Sequence, residues 1–159
     1  MLVFGHENVD ALKGLTSLQE LYLYNCQKLR SMEALQTLSG LQKLYIDYCP
    51  ELQNIDALKN LADLGDLELD FHIVLQRLDT IKALTRLKKL TLCVLAQPGV
   101  EDVSNSYIGL REYIGKIRTG TLSPFKTLNI ESLQELCDAL PDTDIQLHYI
   151  GPFMHPFGS

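Results

Sequence analysis

The sequence predicts an α/β fold in solenoid form, a curved parallel β-sheet with short helices or turns on its convex side. Three observations predict it. Apolar residues recur in phase at an offset of 23 through four successive units. Each apolar run carries a leucine–x–leucine pair, or leucine–x–isoleucine in the second unit, with the two-residue period of a strand. The three-residue spacing inside each run does not give the single stripe of an amphipathic helix.

The offset can be followed residue by residue. The first unit carries Leu12, Leu15, Leu18, Leu21, Leu23, Cys26, Leu29 and Met32. The second carries Leu35, Leu38, Leu41, Leu44, Ile46, Cys49, Leu52 and Ile55, and the third Leu58, Leu61, Leu64, Leu67, Leu69, His72, Leu75 and Leu78. The fourth carries Ile81, Leu84, Leu87, Leu90, Leu92 and Leu95, then decays at Pro98 and Glu101. On a helix, three residues advance about 300°, so each step drifts about 60° and Leu12 and Leu21 would point to opposite sides. A chain that coils back on itself lets every one of these leucines point inward. Each unit then buries its apolar face against its neighbours. Segments such as Asp10–Leu15 form short helical turns between strands about 4.8 Å apart.

The stretches Leu18-Gln19-Glu20-Leu21-Tyr22-Leu23-Tyr24-Asn25-Cys26 and Leu41-Gln42-Lys43-Leu44-Tyr45-Ile46-Asp47-Tyr48-Cys49 resemble the leucine-rich-repeat family, whose pattern is L-x-x-L-x-L-x-x-N/C. Units three and four depart at the last position, with His72 and Leu95. The resemblance covers residues 9–95. Its cysteine-bearing turns are similar to those of plant intracellular immune receptors and of several protozoan proteins.

The chain reads as one domain, residues 1–159, with regular repeats over 9–100 and irregular C-terminal repeats and a cap over 101–159. Val9-Asp10-Ala11-Leu12 matches Met32-Glu33-Ala34-Leu35, so the strand of that turn is expected before Met1, and the chain is expected to be the C-terminal part of a longer one. Asp102–Ser106 reads as a loop, Tyr107–Arg118 as a helix stopped by Gly120, and Lys126–Ile130 as a strand. Glu131–Leu140 reads as a helix and Asp144–Ile150 as the last strand. The tail, 151–159, is expected to fold over the end of the core.

A net charge of -6 does not provide the basic footprint of a general nucleic-acid or anionic-membrane surface. No apolar run approaches the roughly 18 residues of a spanning helix, and Met1–Glu7 lacks the pattern of a signal peptide. Cys26, Cys49, Cys93 and Cys137 form no C-x-x-C pair and there is no N-x-S/T acceptor, which points to an intracellular, cytoplasmic setting.

The resemblance implies that residues flanking the inward leucines face the concave side, since side chains alternate along a strand. By position these are Glu20, Tyr22, Tyr24 and Asn25; then Lys43, Tyr45, Asp47 and Tyr48; then Asp66, Glu68, Asp70 and Phe71; then Lys89, Thr91, Cys93 and Val94. The expected protein-binding surface is an aromatic patch of Tyr22, Tyr24, Tyr45, Tyr48 and Phe71 beside an acidic one of Asp47, Asp66, Glu68 and Asp70. Tyrosine offers contact area at little entropic cost, although it also simply suits strands. Carboxylates two residues apart on one strand are about 6.6 Å apart per step, too far to share an ion alone.

Cys26 and Cys49 are expected as buried structural thiols bonded weakly to loop carbonyls. Cys93 is expected to be the accessible cysteine, Cys137 to pack inward and His72 to be structural. Cys93 and His148 are expected two strands, about 10 Å, apart, too far for a nucleophile pair. No P-loop, dinucleotide fingerprint or nucleophile elbow is present. The sequence therefore points to no catalytic residues, metal or cofactor. It points to non-catalytic recognition of a protein partner on the concave face, as the sensing or autoinhibitory region of a larger intracellular receptor. The alternative is a structural scaffold subunit of a large assembly.

Overall fold

The computed structural model describes residues 1–5, 7–70, 74, 76–95, 107–121 and 129–150. Its strands are β1 (Leu2–Phe4), β2 (Glu20–Tyr24), β3 (Lys43–Asp47), β4 (Asp66–Asp70), β5 (Lys89–Leu95), β6 (Tyr107–Gly109) and β7 (Asp144–Ile150). They form one open sheet in the order β1-β2-β3-β4-β5-β7-β6. All neighbours run parallel except β6, which is antiparallel to β7. Short 3-10 helices at Asp10–Leu12, Glu33–Thr37 and Asp56–Asn60 connect the early strands. The α-helices are α1 (Leu78–Lys82), α2 (Leu110–Arg118) and α3 (Ile130–Ala139).

The offset of 23 is the strand register: Leu21 pairs with Leu44, Leu44 with Leu67 and Leu67 with Leu90. A carbonyl just before each strand holds this register. The Gln19 oxygen accepts the N–H groups of Gln42 and Lys43 at 2.8 and 3.0 Å, and the Gln42 oxygen accepts those of Gly65 and Asp66 at 2.9 and 3.1 Å. The strand leucines share one core cluster with Leu12, Leu35, Leu58 and Ile81 from the connections and with Leu110, Tyr113, Leu133 and Leu136 from α2 and α3. Helical elements therefore pack on one face of the sheet. Arg111 ties α2 to α3 by donating to the Cys137 carbonyl at 2.9 Å.

Several expectations need correction. The strand of the first turn is β1, inside the chain: Leu2 pairs with Tyr22, an interval three residues shorter than the repeat. Leu15 is 41% exposed although Leu38, Leu61 and Leu84 are buried. It lies in the first connection, which has a neighbouring layer on one side only among the described residues. Tyr107–Gly109 is a strand and not the start of a helix, because its backbone pairs with His148, Leu147 and Gln146. Asn129 and Ile130 are not strand: Asn129 caps α3, its side chain accepting from Glu131 and Ser132 N–H at 2.9 and 3.3 Å. Val94 belongs to the core cluster and not to the opposite face. The loop at Asp102–Ser106, Lys126–Leu128, the tail, Phe71, His72 and Leu75 lie outside the described residues. The helix stop at Gly120 (φ +72), the helix ending near Leu140 and the last strand are found as expected.

Gly40 is required by a close approach. A Cβ there would sit 2.6 Å from the backbone oxygen of Thr16 in the preceding connection. Gly40→Ala should destabilise the fold by about 1–3 kcal/mol, as overpacking does. A urea melt unchanged by the substitution would refute that contact.

Candidate functional site

The strand alternation puts a second set of side chains on the face away from the core, and the register sorts them into rows. The first row reads Glu20, Lys43, Asp66, Lys89 and Asp144. Its signs alternate, and Lys43 Nζ bonds Glu20 Oε1 at 2.6 Å. The second reads Tyr22, Tyr45, Glu68, Thr91 and Gln146. The third begins with Tyr24 paired to Asp47 and resumes as Asp70, Cys93 and His148. The first row offsets two of its three carboxylates with lysines, whereas the rows of Asp47, Glu68 and Asp70 hold no lysine or arginine.

The expected aromatic residues meet in pairs. The Tyr22 and Tyr45 rings stack with centroids 4.5 Å apart and planes 9° from parallel. Tyr24 meets Tyr48 edge-on at 6.0 Å. Tyr22 is exposed, while Tyr24, Tyr45 and Tyr48 are half-buried. Tyr45 Oη lies 3.3 Å from Asp66 Oδ2 and donates to it. Burial and that carboxylate hold the Tyr45 phenol protonated well above its ordinary range. Tyr48 has φ +56 and its equivalent Asn25 has φ +53. Asparagine tolerates this left-handed conformation, but tyrosine is held there at a cost of about 1–3 kcal/mol. Phe71 lies outside the described residues.

The acidic residues are drawn into the sheet. Burial raises the Asp70 carboxyl to about 7, helped by Asp47 and opposed by the N–H groups of Cys49 and Tyr48 that it accepts. Burial raises Glu68 as well.

Cys26 and Cys49 are fully buried, and their thiols donate to the carbonyls of Tyr24 at 3.6 Å and Asp47 at 3.5 Å. Burial pushes Cys49 up to about 12. Cys137 packs into the core at 2% exposure. Cys93 corrects the expectation of accessibility: it is 5% exposed, and Thr91 beside it 1%. The expected separation of Cys93 from His148 is also wrong. No strand intervenes, β7 pairs directly with β5, and Cys93 and His148 are register partners. The Cys93 thiol donates to Glu68 Oε1 at 3.2 Å, and burial together with Glu68 drives its pKa far up. Tyr107 from β6 stacks on the His148 ring at 4.2 Å and 7°. Sequence reasoning missed this juxtaposition because it depends on strand order, and no repeat phase reports the order beyond β5.

No helix among the described residues is long and apolar enough to cross a membrane. Neither protein-family models nor curated proteins give a match to this chain.

Proposed function

We propose that this chain is a leucine-rich-repeat solenoid that recognises a protein partner without catalysing a reaction. Its contact surface is the sheet face of Tyr22, Tyr24, Tyr45, Tyr48, Asp47, Asp66, Glu68 and Asp70, read as the concave side. The single observation that carries this reading is the stacked Tyr22–Tyr45 pair, adjoining the Tyr24–Tyr48 pair and the acidic rows on one face. Stacked rings present rigid contact area with little entropy left to lose. The strained Tyr48 fits the same reading, since strain is retained where a side chain serves a purpose beyond folding. The acidity selects a partner with a basic contact segment and speeds its approach. Cys93 does not suit a nucleophile, which needs a lowered thiol pKa. The setting is the sensing or autoinhibitory region of a larger intracellular receptor, as the family resemblance implies.

The test is a displayed-peptide selection on the intact folded chain, followed by titration of the selected peptides. Ligands should be enriched in lysine and arginine. The double variant Tyr22→Ala/Tyr45→Ala should weaken them by about 30-fold, or about 2 kcal/mol, the size of a hot spot, with an unchanged circular dichroism spectrum. Unchanged affinity would overturn the assignment of this face. Loss of binding only on changes to the helical side would favour a scaffold that docks by its outer surface.

A further inference from the structure

Three chemically different donors converge where β4, β5 and β7 lie side by side. Cys93 and His148 face each other across the β5–β7 register, and Asp70 is the partner of Cys93 on β4. Glu68 is one inward-outward alternation away from Asp70, so it reaches Cys93 diagonally. One ligand atom from each of Glu68, Cys93 and His148 lies within 4.8 Å of the other two. The sulfur and the carboxylate oxygen are 3.2 Å apart.

These separations suit a small tetrahedral cation. Bonds of about 2.3 Å to sulfur, 2.0–2.1 Å to imidazole nitrogen and 2.0–2.2 Å to carboxylate oxygen put the donors about 3.3–3.6 Å from each other. Gathering the three donors therefore needs side-chain adjustments of about 1 Å or less. The Tyr107 ring stacked on His148 fixes the imidazole plane. Cys93 is nearly enclosed, while Glu68 and His148 are half-buried and keep some contact with solvent. Asp47 adds negative charge beside Glu68 and Cys93, which favours a divalent cation. The mixture of one sulfur, one nitrogen and one oxygen selects zinc over magnesium or calcium, which take oxygen sets.

We propose that Glu68, Cys93 and His148 form a zinc site, with the fourth tetrahedral position open to water or to a group from outside the chain. On binding, the Cys93 S–H bond breaks, its proton leaves to solvent and the thiolate sulfur bonds the metal. The carboxylate then exchanges its thiol hydrogen bond for a metal bond. The proposal goes beyond the recognition reading and does not depend on it.

Cobalt(II) is the probe, since it takes zinc sites and absorbs visibly when bound to thiolate. Titrating the reduced, chelator-stripped intact chain should give one equivalent bound, a thiolate-to-cobalt charge-transfer band and the strong visible bands of four-coordinate cobalt. Zinc should displace it. Cys93→Ser should abolish the charge-transfer band, and His148→Gln and Glu68→Gln should each weaken binding by about tenfold or more. Cys137→Ser should change nothing. Absence of the charge-transfer band in the wild-type chain would overturn the proposal whatever the variants do. So would its survival in Cys93→Ser, or unchanged affinity in both His148→Gln and Glu68→Gln. Circular dichroism of each variant separates loss of the site from loss of the fold.

Discussion

Leu44→Ala is expected to cost about 2–5 kcal/mol, the range for emptying a leucine-sized volume in a packed core. Leu44 is fully buried at the middle of the ladder Leu21–Leu44–Leu67–Leu90, so neighbours on both sides lose contacts. Close packing limits how far the gap can collapse. For a chain of this size each kcal/mol lowers Tm by about 2–4 °C. The informative control is Leu15→Ala, which removes the same atoms from a position of the same repeat pattern that is 41% exposed. It should cost less than about 1 kcal/mol. Paired urea melts check both. Equal costs would mean that the repeat pattern alone, and not the burial it produces, decides the energetics.

The second large effect is a dependence of stability on pH set by Asp70. Its carboxyl is raised to about 7 in the fold against 3.8 as the ordinary value. The folded chain therefore holds a proton that the unfolded chain has released between about pH 4 and pH 7. Stability should fall as pH rises through that window, by at most about 4 kcal/mol, from the shift converted at 1.36 kcal/mol per unit. The titratable groups that interact with Asp70 are Asp47 on β3, Tyr48 and Cys49 just after it, Glu68 on its own strand and Cys93 on β5, and the carboxylates share the effect. His148 acts the other way below its ordinary 6.5, because burial lowers its pKa. Asp70→Asn keeps an acceptor for the Cys49 and Tyr48 N–H groups but cannot ionise. It should be more stable than the wild type at pH 8 and should flatten the curve. Urea melts in chelator from pH 4.5 to 8 decide the matter; parallel curves for the two proteins would refute it.

The core was legible in the sequence because it is made of packing, and packing leaves a periodic trace. Every described leucine of the second unit is buried where the offset of 23 puts it. The positions of Tyr22, Tyr24, Tyr45, Asp47, Asp66, Glu68 and Asp70 on the opposite face followed from the family resemblance together with strand alternation, while Tyr48 lies just past its strand at φ +56. Two kinds of feature were not legible. Leu15 fits the pattern yet is exposed, since burial needs neighbouring layers and a pattern counts only residues. The convergence of Glu68, Cys93 and His148 depends on which strand lies beside β5, and the sequence between them carries no repeat phase. One signal there was readable: Asn129 followed by Glu131 and Ser132 has the chemistry of a helix cap, yet the leucine–x–isoleucine spelling suggested a strand.

The pairing of β7 with β5 also divides the molecule by sequence distance. Strands β2 to β5 meet partners 23 residues away, whereas Lys89 pairs with Asp144, 55 positions later. Closing the longer loop costs about 0.8 kcal/mol more in chain entropy by the logarithmic law. Near-neighbour contacts form quickly and distant ones slowly. The early strands are thus expected to zip first, with β7 docking afterwards through the buried Thr143 hydroxyl on the Leu87 carbonyl at 2.8 Å. The Cys93 thiol would meet His148 only in that late step, so the time course of thiol protection during refolding is a clock for the closing of the sheet.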